Sequence, residues 1–170
     1  MFKSIQTPNL SNVEHGTNLP GRQSLDFALA EFSSAIEMLQ AAKLVESKAL
    51  GKGFVNHALD EYRHTEFFRR LLKSSNNTEL RFDPRLSIAL GFINPEQFLF
   101  EANDLTQFTA FVAINEASAL RMFSKIRPAI AGATDELKNE IEDIIDDETD
   151  HLRSFTENPE KNRKYSDTFV

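Results

Sequence analysis

Asp60-Glu61-Tyr62-Arg63-His64 and Asp147-Glu148-Thr149-Asp150-His151 are two copies of one pattern: an Asp, a Glu beside it, and a His three residues beyond the Glu. Positions i and i+3 share a face of an α-helix, so each copy aims a carboxylate and an imidazole at one spot. A single Glu-x-x-His is usually an accident of a helix surface. Two copies on two helices are half of a metal site, and the other half is one further Glu on each of two more helices. The fold therefore turns on whether four helices, with a Glu at the right height on each, can be read in the chain.

They can. Leu25, Ala28, Leu29, Phe32, Ala35, Ile36 and Leu39 recur at three- and four-residue steps and predict a helix over about 24–45, with Ser24 as its N-cap. Leu50, Phe54, Ala58, Thr65, Phe68 and Leu72 predict a second over about 47–73, its turn from the first falling near Glu46 or near Lys52. Residues 74–94, with Asn76-Asn77 and Asp83-Pro84, read as a long connection in which 87–92 form a short helical turn. Asn94-Pro95 opens a further segment, and Asp104 with Gln107 resembles a capping box before a third long helix over about 105–127, ended by Pro128 and Gly132. Thr134 caps a fourth, carrying Leu137, Ile141, Ile144, Ile145 and Phe155, until Asn158-Pro159 stops it. The expected fold is all-α: an antiparallel four-helix bundle of two helical hairpins joined by a long crossover. Residues 1–20 read as an irregular arm, 21–158 as the bundle and 159–170 as a polar tail.

Residues equidistant from the turn of an antiparallel hairpin lie at one height. A turn near Glu46 pairs Glu61 with Glu31, and a turn near Lys52 brings Glu37 into contention instead. A turn around 128–133 pairs Glu148 with Glu116. The separations, 30 residues from Glu31 to Glu61 and 32 from Glu116 to Glu148, make the halves pseudo-symmetric. Glu31, Glu61, His64, Glu116, Glu148 and His151 then meet at one level. Glu31 lies among Phe27, Ala28 and Ala35, and Glu116 lies among Phe111, Val112, Ala113, Ile114 and Ala117. Carboxylates on such stripes are costly to bury, and four together repel. Two divalent cations neutralise them, taking the formal net charge of −7 to −3, and metal binding then couples to folding. Mixed oxygen and nitrogen donors suit iron or manganese.

Composition narrows the field further. The 170 residues fit one domain, and the net charge of −7 argues against nucleic acid or an anionic membrane surface as a partner. The absence of cysteine removes disulfides, thiolate zinc, iron–sulfur clusters and cysteine nucleophiles. No stretch reads as a membrane span or a signal peptide, so a cytoplasmic location is the expectation. Only Tyr62 and Tyr165 could carry a tyrosyl radical, and Tyr62 points away from the neighbouring Glu61.

Over roughly residues 24–157 the chain resembles the ferritin-like di-iron carboxylate superfamily. Residues 60–64 match the D-E-x-R-H motif of bacterial multicomponent monooxygenase hydroxylases and acyl-carrier-protein desaturases. Residues 147–151 match it except that Asp150 stands where the Arg belongs. The resemblance implies two iron ions, with Mn/Fe or Mn as variants. Glu61 and Glu148 would bridge them, His64 and His151 would bind one each, and Glu31 and Glu116 would be terminal ligands. Asp60 and Asp147 would accept the imidazole N–H groups from behind, a contact that fixes tautomer and basicity, with Arg63 beside them. His57, one turn before Glu61 on the same face, could be an added ligand as in some di-iron N-oxygenases, a group behind the ligands, or a packed or surface histidine.

The activity so implied is that of an oxygen-activating di-iron oxidoreductase, using O₂ and an electron donor on a small organic substrate, with Phe27, Phe32, Phe68 and Phe111 excluding water. Iron handling with Fe(II) as substrate, a rubrerythrin-like peroxidase and a non-enzymatic metal-stabilised bundle are the alternatives. A monomer or homodimer accords with the oxidoreductase, and a large shell with storage.

Overall fold

The computed structural model describes residues 21–74, 81–83, 85, 105–130 and 134–156. They form four helices: α1 (Gly21–Leu44), α2 (Lys48–Ser74), α3 (Leu105–Ala129) and α4 (Asp135–Thr156). No strand occurs among the described residues. α1 packs along α2 and α3 along α4, and the hairpins face each other with α2 beside α4, making a ferritin-like four-helix bundle.

The first turn occupies Val45–Ser47, so of the two expected positions the one at Glu46 is realised. Ser47 caps α2: its Oγ accepts from Leu50 N–H (3.3 Å) and its carbonyl from Gly51 N–H (2.8 Å). Gly51 suits this tight hairpin, because a Cβ there would lie 3.3 Å from the Ala42 carbonyl oxygen. Thr134 caps α4 as expected, accepting from Leu137 N–H on Oγ1 (3.4 Å). Asp135 and Glu136 follow in the first turn, where the helix dipole favours negative charge. Two expectations are corrected. α1 starts at Gly21, so Ser24 is not its N-cap but lies inside it, with a buried hydroxyl that meets no hydrogen-bond partner among the described residues. α3 runs through Pro128 to Ala129; a proline in the last turn forfeits one N–H but no long run of helix beyond it.

Cross-helix contacts set the register. Asp60 meets His151, His64 meets Asp147 and Arg70 meets Glu140, so α2 and α4 are antiparallel. α3 is antiparallel to α4 and therefore parallel to α2. The link between α2 and α3 joins opposite ends of the bundle, roughly 37 Å apart for a 25-residue helix. Of that link the structure describes 81–83 and 85, where Phe82 meets Phe32 edge-on at 6.0 Å. The arm, the tail, the turn at 87–92, the Pro95 segment and the Asp104 cap lie outside the described residues.

Two apolar layers close the bundle above and below its middle. One holds Phe27, Phe68 and Phe123, stacked or tilted at 4.9–5.4 Å, with Ile126, Ile141 and Ile144. The other holds Met38, Ala41, Phe54, Phe108 and Val112, with Phe155 packed against it. Burying phenylalanines in this way contributes about 2–3 kcal/mol each before entropy is counted. Between the layers the interior is charged.

Candidate metal centre

Glu31 on α1, Glu61 and His64 on α2, Glu116 on α3, and Glu148 and His151 on α4 are all buried, at 0–8% exposure, and point into this middle layer. All six residues singled out from the sequence come together. With His57 they form two groups, within each of which the donor atoms lie within 4.8 Å of one another: Glu31, Glu61, His64 and Glu148; and His57, Glu61, Glu116 and His151. Glu61 belongs to both. Glu37 is buried as well but belongs to neither, as the turn at Glu46 requires.

The imidazoles are held from behind. His64 Nε2–H donates to Asp147 Oδ2 (3.0 Å) and His151 Nε2–H to Asp60 Oδ2 (3.2 Å). Each Asp thus reaches across to the histidine of the other hairpin. This leaves both Nδ1 atoms facing inward: His64 Nδ1 is 3.1 Å from Glu148 and 3.5 Å from Glu31, and His151 Nδ1 is 3.7 Å from Glu61 and from Glu116. Arg63 lies between the two outer carboxylates, paired with Asp147 and 3.3 Å from Asp60. Asp150, standing where the motif's second Arg would be, is exposed and pairs with Arg153 at 2.9 Å. One guanidinium therefore serves both outer Asp residues.

His57 lies among the inward-facing groups. It is 5% exposed, its Nε2 is 2.7 Å from Glu61 Oε1 and 3.3 Å from Glu116 Oε1, and its ring stacks on His151 at 3.7 Å. The Phe155 ring lies tilted against it, with ring centroids 5.7 Å apart. The sequence signal for this placement was the four-residue step to Glu61. The shared role of Arg63 had no such signal, since it depends on how the hairpins dock.

The donors present fit a pair of metal ions. His64 Nδ1, His151 Nδ1 and both carboxylate oxygens of Glu148 are buried and make no hydrogen bond among the described residues. Buried polar atoms are rarely left so, and these converge with lone pairs suited to cations. Without metal, protons do the neutralising. Burial, with Glu31 and Glu116 alongside, pushes the Glu61 carboxyl well up, and burial with Glu116, Glu61 and Glu31 does the same to Glu148. Burial would lower His64, but Asp147 and Glu31 outweigh it and raise the imidazole to about 10. Burial also opposes ionisation of Glu116, yet the proximity of Glu148, His151 and His57 holds its carboxyl below the usual range.

Among the described residues no helix is long and apolar enough to cross a membrane. Comparison with known proteins agrees with this geometry. No curated protein and no solved structure matches the chain. A family model described as Rubrerythrin matches residues 33–158, which takes in the second half of α1, all of α2–α4 and every residue of both groups except Glu31. The chain belongs to the rubrerythrin family, within the ferritin-like di-iron superfamily.

Proposed function

We propose that the protein is a di-iron oxidoreductase that activates dioxygen for the oxidation of a small organic molecule. The observation that carries the proposal is Glu61: it is common to two buried donor sets, which also hold the unpartnered Nδ1 atoms of His64 and His151 and the unpartnered carboxylate of Glu148. In this reading Glu31, Glu61, Glu116 and Glu148, with Nδ1 of His64 and of His151, would hold two iron ions. When bound, the ferrous pair supplies two electrons for reduction of dioxygen at one place.

The chain does the rest. Asp60 and Asp147 keep the Nε2 protons of His151 and His64 and so present Nδ1 as a lone pair. Burial favours the protonated forms of Glu61 and Glu148 only while cations are absent, so protons and metal compete for these two carboxyls. The phenylalanine layers exclude water, which strengthens every charge interaction between them. Family membership favours a second reading, in which hydrogen peroxide is the oxidant and no organic molecule is hydroxylated.

Anaerobic protein loaded with Fe(II) separates these readings. Bound iron is counted, and the absorbance change is then followed after rapid mixing with O₂ or with H₂O₂. The proposal expects about two irons per chain and a faster reaction with O₂, both lost in Glu61→Ala and His151→Ala. A faster reaction with peroxide moves the assignment to the second reading, and protein that takes up no stoichiometric metal ends both.

A further inference from the structure

The two halves of the centre are not equivalent. Glu61, His64 and Asp60 on α2 correspond to Glu148, His151 and Asp147 on α4. One turn before Glu61 stands His57, whereas one turn before Glu148 stands Ile144. Both are buried, at 5% and 3% exposure, so the difference lies inside the bundle. On one side an imidazole nitrogen lies 2.7 Å from Glu61 and 3.3 Å from Glu116, while on the other an aliphatic chain belongs to the phenylalanine layer.

We infer that His57 is a direct ligand through Nε2 and makes the two metal positions chemically unequal. One position draws on two imidazoles and two carboxylates (His57, His151, Glu61, Glu116). The other draws on one imidazole and three carboxylates (His64, Glu31, Glu61, Glu148). Imidazole donors favour iron, cobalt and zinc, and carboxylate-rich sets favour manganese and magnesium. The His57 position therefore fills first with a later first-row divalent ion, and the carboxylate-rich position is the more tolerant of manganese. The inference rests on the dinuclear reading above and adds an order of filling and a selectivity to it. The stacking of His57 on His151 is compatible with two nitrogens on one ion, since His57 faces the carboxylates through Nε2 and His151 through Nδ1.

Anaerobic titration of the whole chain with Co(II), followed by proton NMR and visible absorbance, tests this without turnover. At one equivalent the expected spectrum shows two paramagnetically shifted imidazole N–H resonances, from His57 and His151, and at two equivalents a third from His64. His57→Gln should remove one of the first two resonances and weaken the first binding step at least ten-fold, with the second step unchanged. His57→Ile, which copies the other half, should do the same and narrow the preference for Co(II) over Mn(II) at that step. The wild-type spectrum needs no variant to fold. One shifted resonance at one equivalent, or a first step unaltered by either substitution, overturns the role of His57 while two bound ions leave the dinuclear reading standing. Failure to bind Co(II) at all overturns both.

Discussion

Asp147→Asn isolates the contact that holds His64 in place. Asp147 Oδ2 accepts the His64 Nε2–H at 3.0 Å and also pairs with Arg63. Burial raises its carboxyl, but His64 and Arg63 outweigh that and hold it below the usual range, so it is ionised at neutral pH. Asparagine can keep the hydrogen bond through its amide oxygen but not the charge, and its NH₂ group has no use for the Arg63 guanidinium. Charge-assisted hydrogen bonds of this kind contribute about 1.5–3 kcal/mol. Loss of a partner behind a metal-bound histidine costs about 10–100-fold in affinity, or roughly 1.4–2.7 kcal/mol. The two scales agree. Part of the loss is hidden at neutral pH, because Asp147 also helps raise the His64 imidazole to about 10, and the proton competes with metal for Nδ1. The substitution weakens both competitors, so the measured effect should grow with pH. Competition titrations with a Co(II) chelator at pH 6.5 and 8.5 should show a loss near ten-fold at the lower pH and a larger one at the higher. Asp150→Asn is the control: it removes the same charge one turn away on α4, from an exposed side chain paired with Arg153. Equal losses for the two variants, or none for Asp147→Asn, would refute the reasoning.

Metal loading at pH 7 should release protons, that of His64 first, since its imidazole is raised to about 10, with Glu61 and Glu148, both raised by burial and neighbouring carboxylates, contributing further; calorimetry in two buffers of different ionisation enthalpy counts them. All three folded values are raised, so their contribution to metal-free stability is complete below the unfolded values, 4.5 for Glu and 6.5 for His, and is lost as pH rises through the folded ones. Glu116 runs the other way, stabilising above 4.5 and failing only in strong acid. Thermal midpoints in chelator should therefore fall from pH 5 toward pH 10, and metal should restore them most at the alkaline end. Phe68→Ala opens a cavity against Phe27 and Phe123 and should cost about 3–5 kcal/mol in urea unfolding. Ser47→Ala removes the α2 cap and should cost about 1 kcal/mol by the same assay, with metal content unchanged.

The sequence carried the bundle because its long helices are periodic and bounded by residues with local jobs. Ser47 and Thr134 cap, and Val45–Ser47 turns, by interactions within four residues. The height rule left Glu31 and Glu37 both open, and the turn at Val45–Ser47 is what brings Glu31 level with Glu61. Ser24 misled because it is a good capping residue on an apolar stripe, and nothing local distinguishes a cap from a small side chain buried in the first turns. His57 stayed open for a related reason: spacing puts it on the inner face but cannot say whether a carboxylate or a phenylalanine will meet it there. Arg63 was visible as part of a motif, yet its contact with Asp147 spans 84 residues of chain and two helices. Such contacts are fixed by docking, which periodicity does not encode.

Docking and chemistry turn out to use the same atoms. The polar joints between α2 and α4 include His64 to Asp147, His151 to Asp60, Arg63 to Asp147, and Arg70 to Glu140. Two of these four engage an imidazole of the centre itself and a third engages the Asp behind one, whereas the apolar layers lie above and below it. An Asp that reaches across to the other hairpin's histidine cannot orient that ring unless the hairpins are seated, and the seating is not complete until the ring is oriented. The exposed Asp150 then becomes intelligible. With Arg63 already between both outer carboxylates, an Arg at 150 would bring a second guanidinium to a joint that one neutralises, so the α4 copy of the motif can lose its Arg without unseating the pair. Pseudo-symmetry between the halves is kept where an atom must face the centre or orient one that does. It lapses at Arg63 against Asp150, where one group serves two, and at His57 against Ile144, where the two sides of the centre differ in kind.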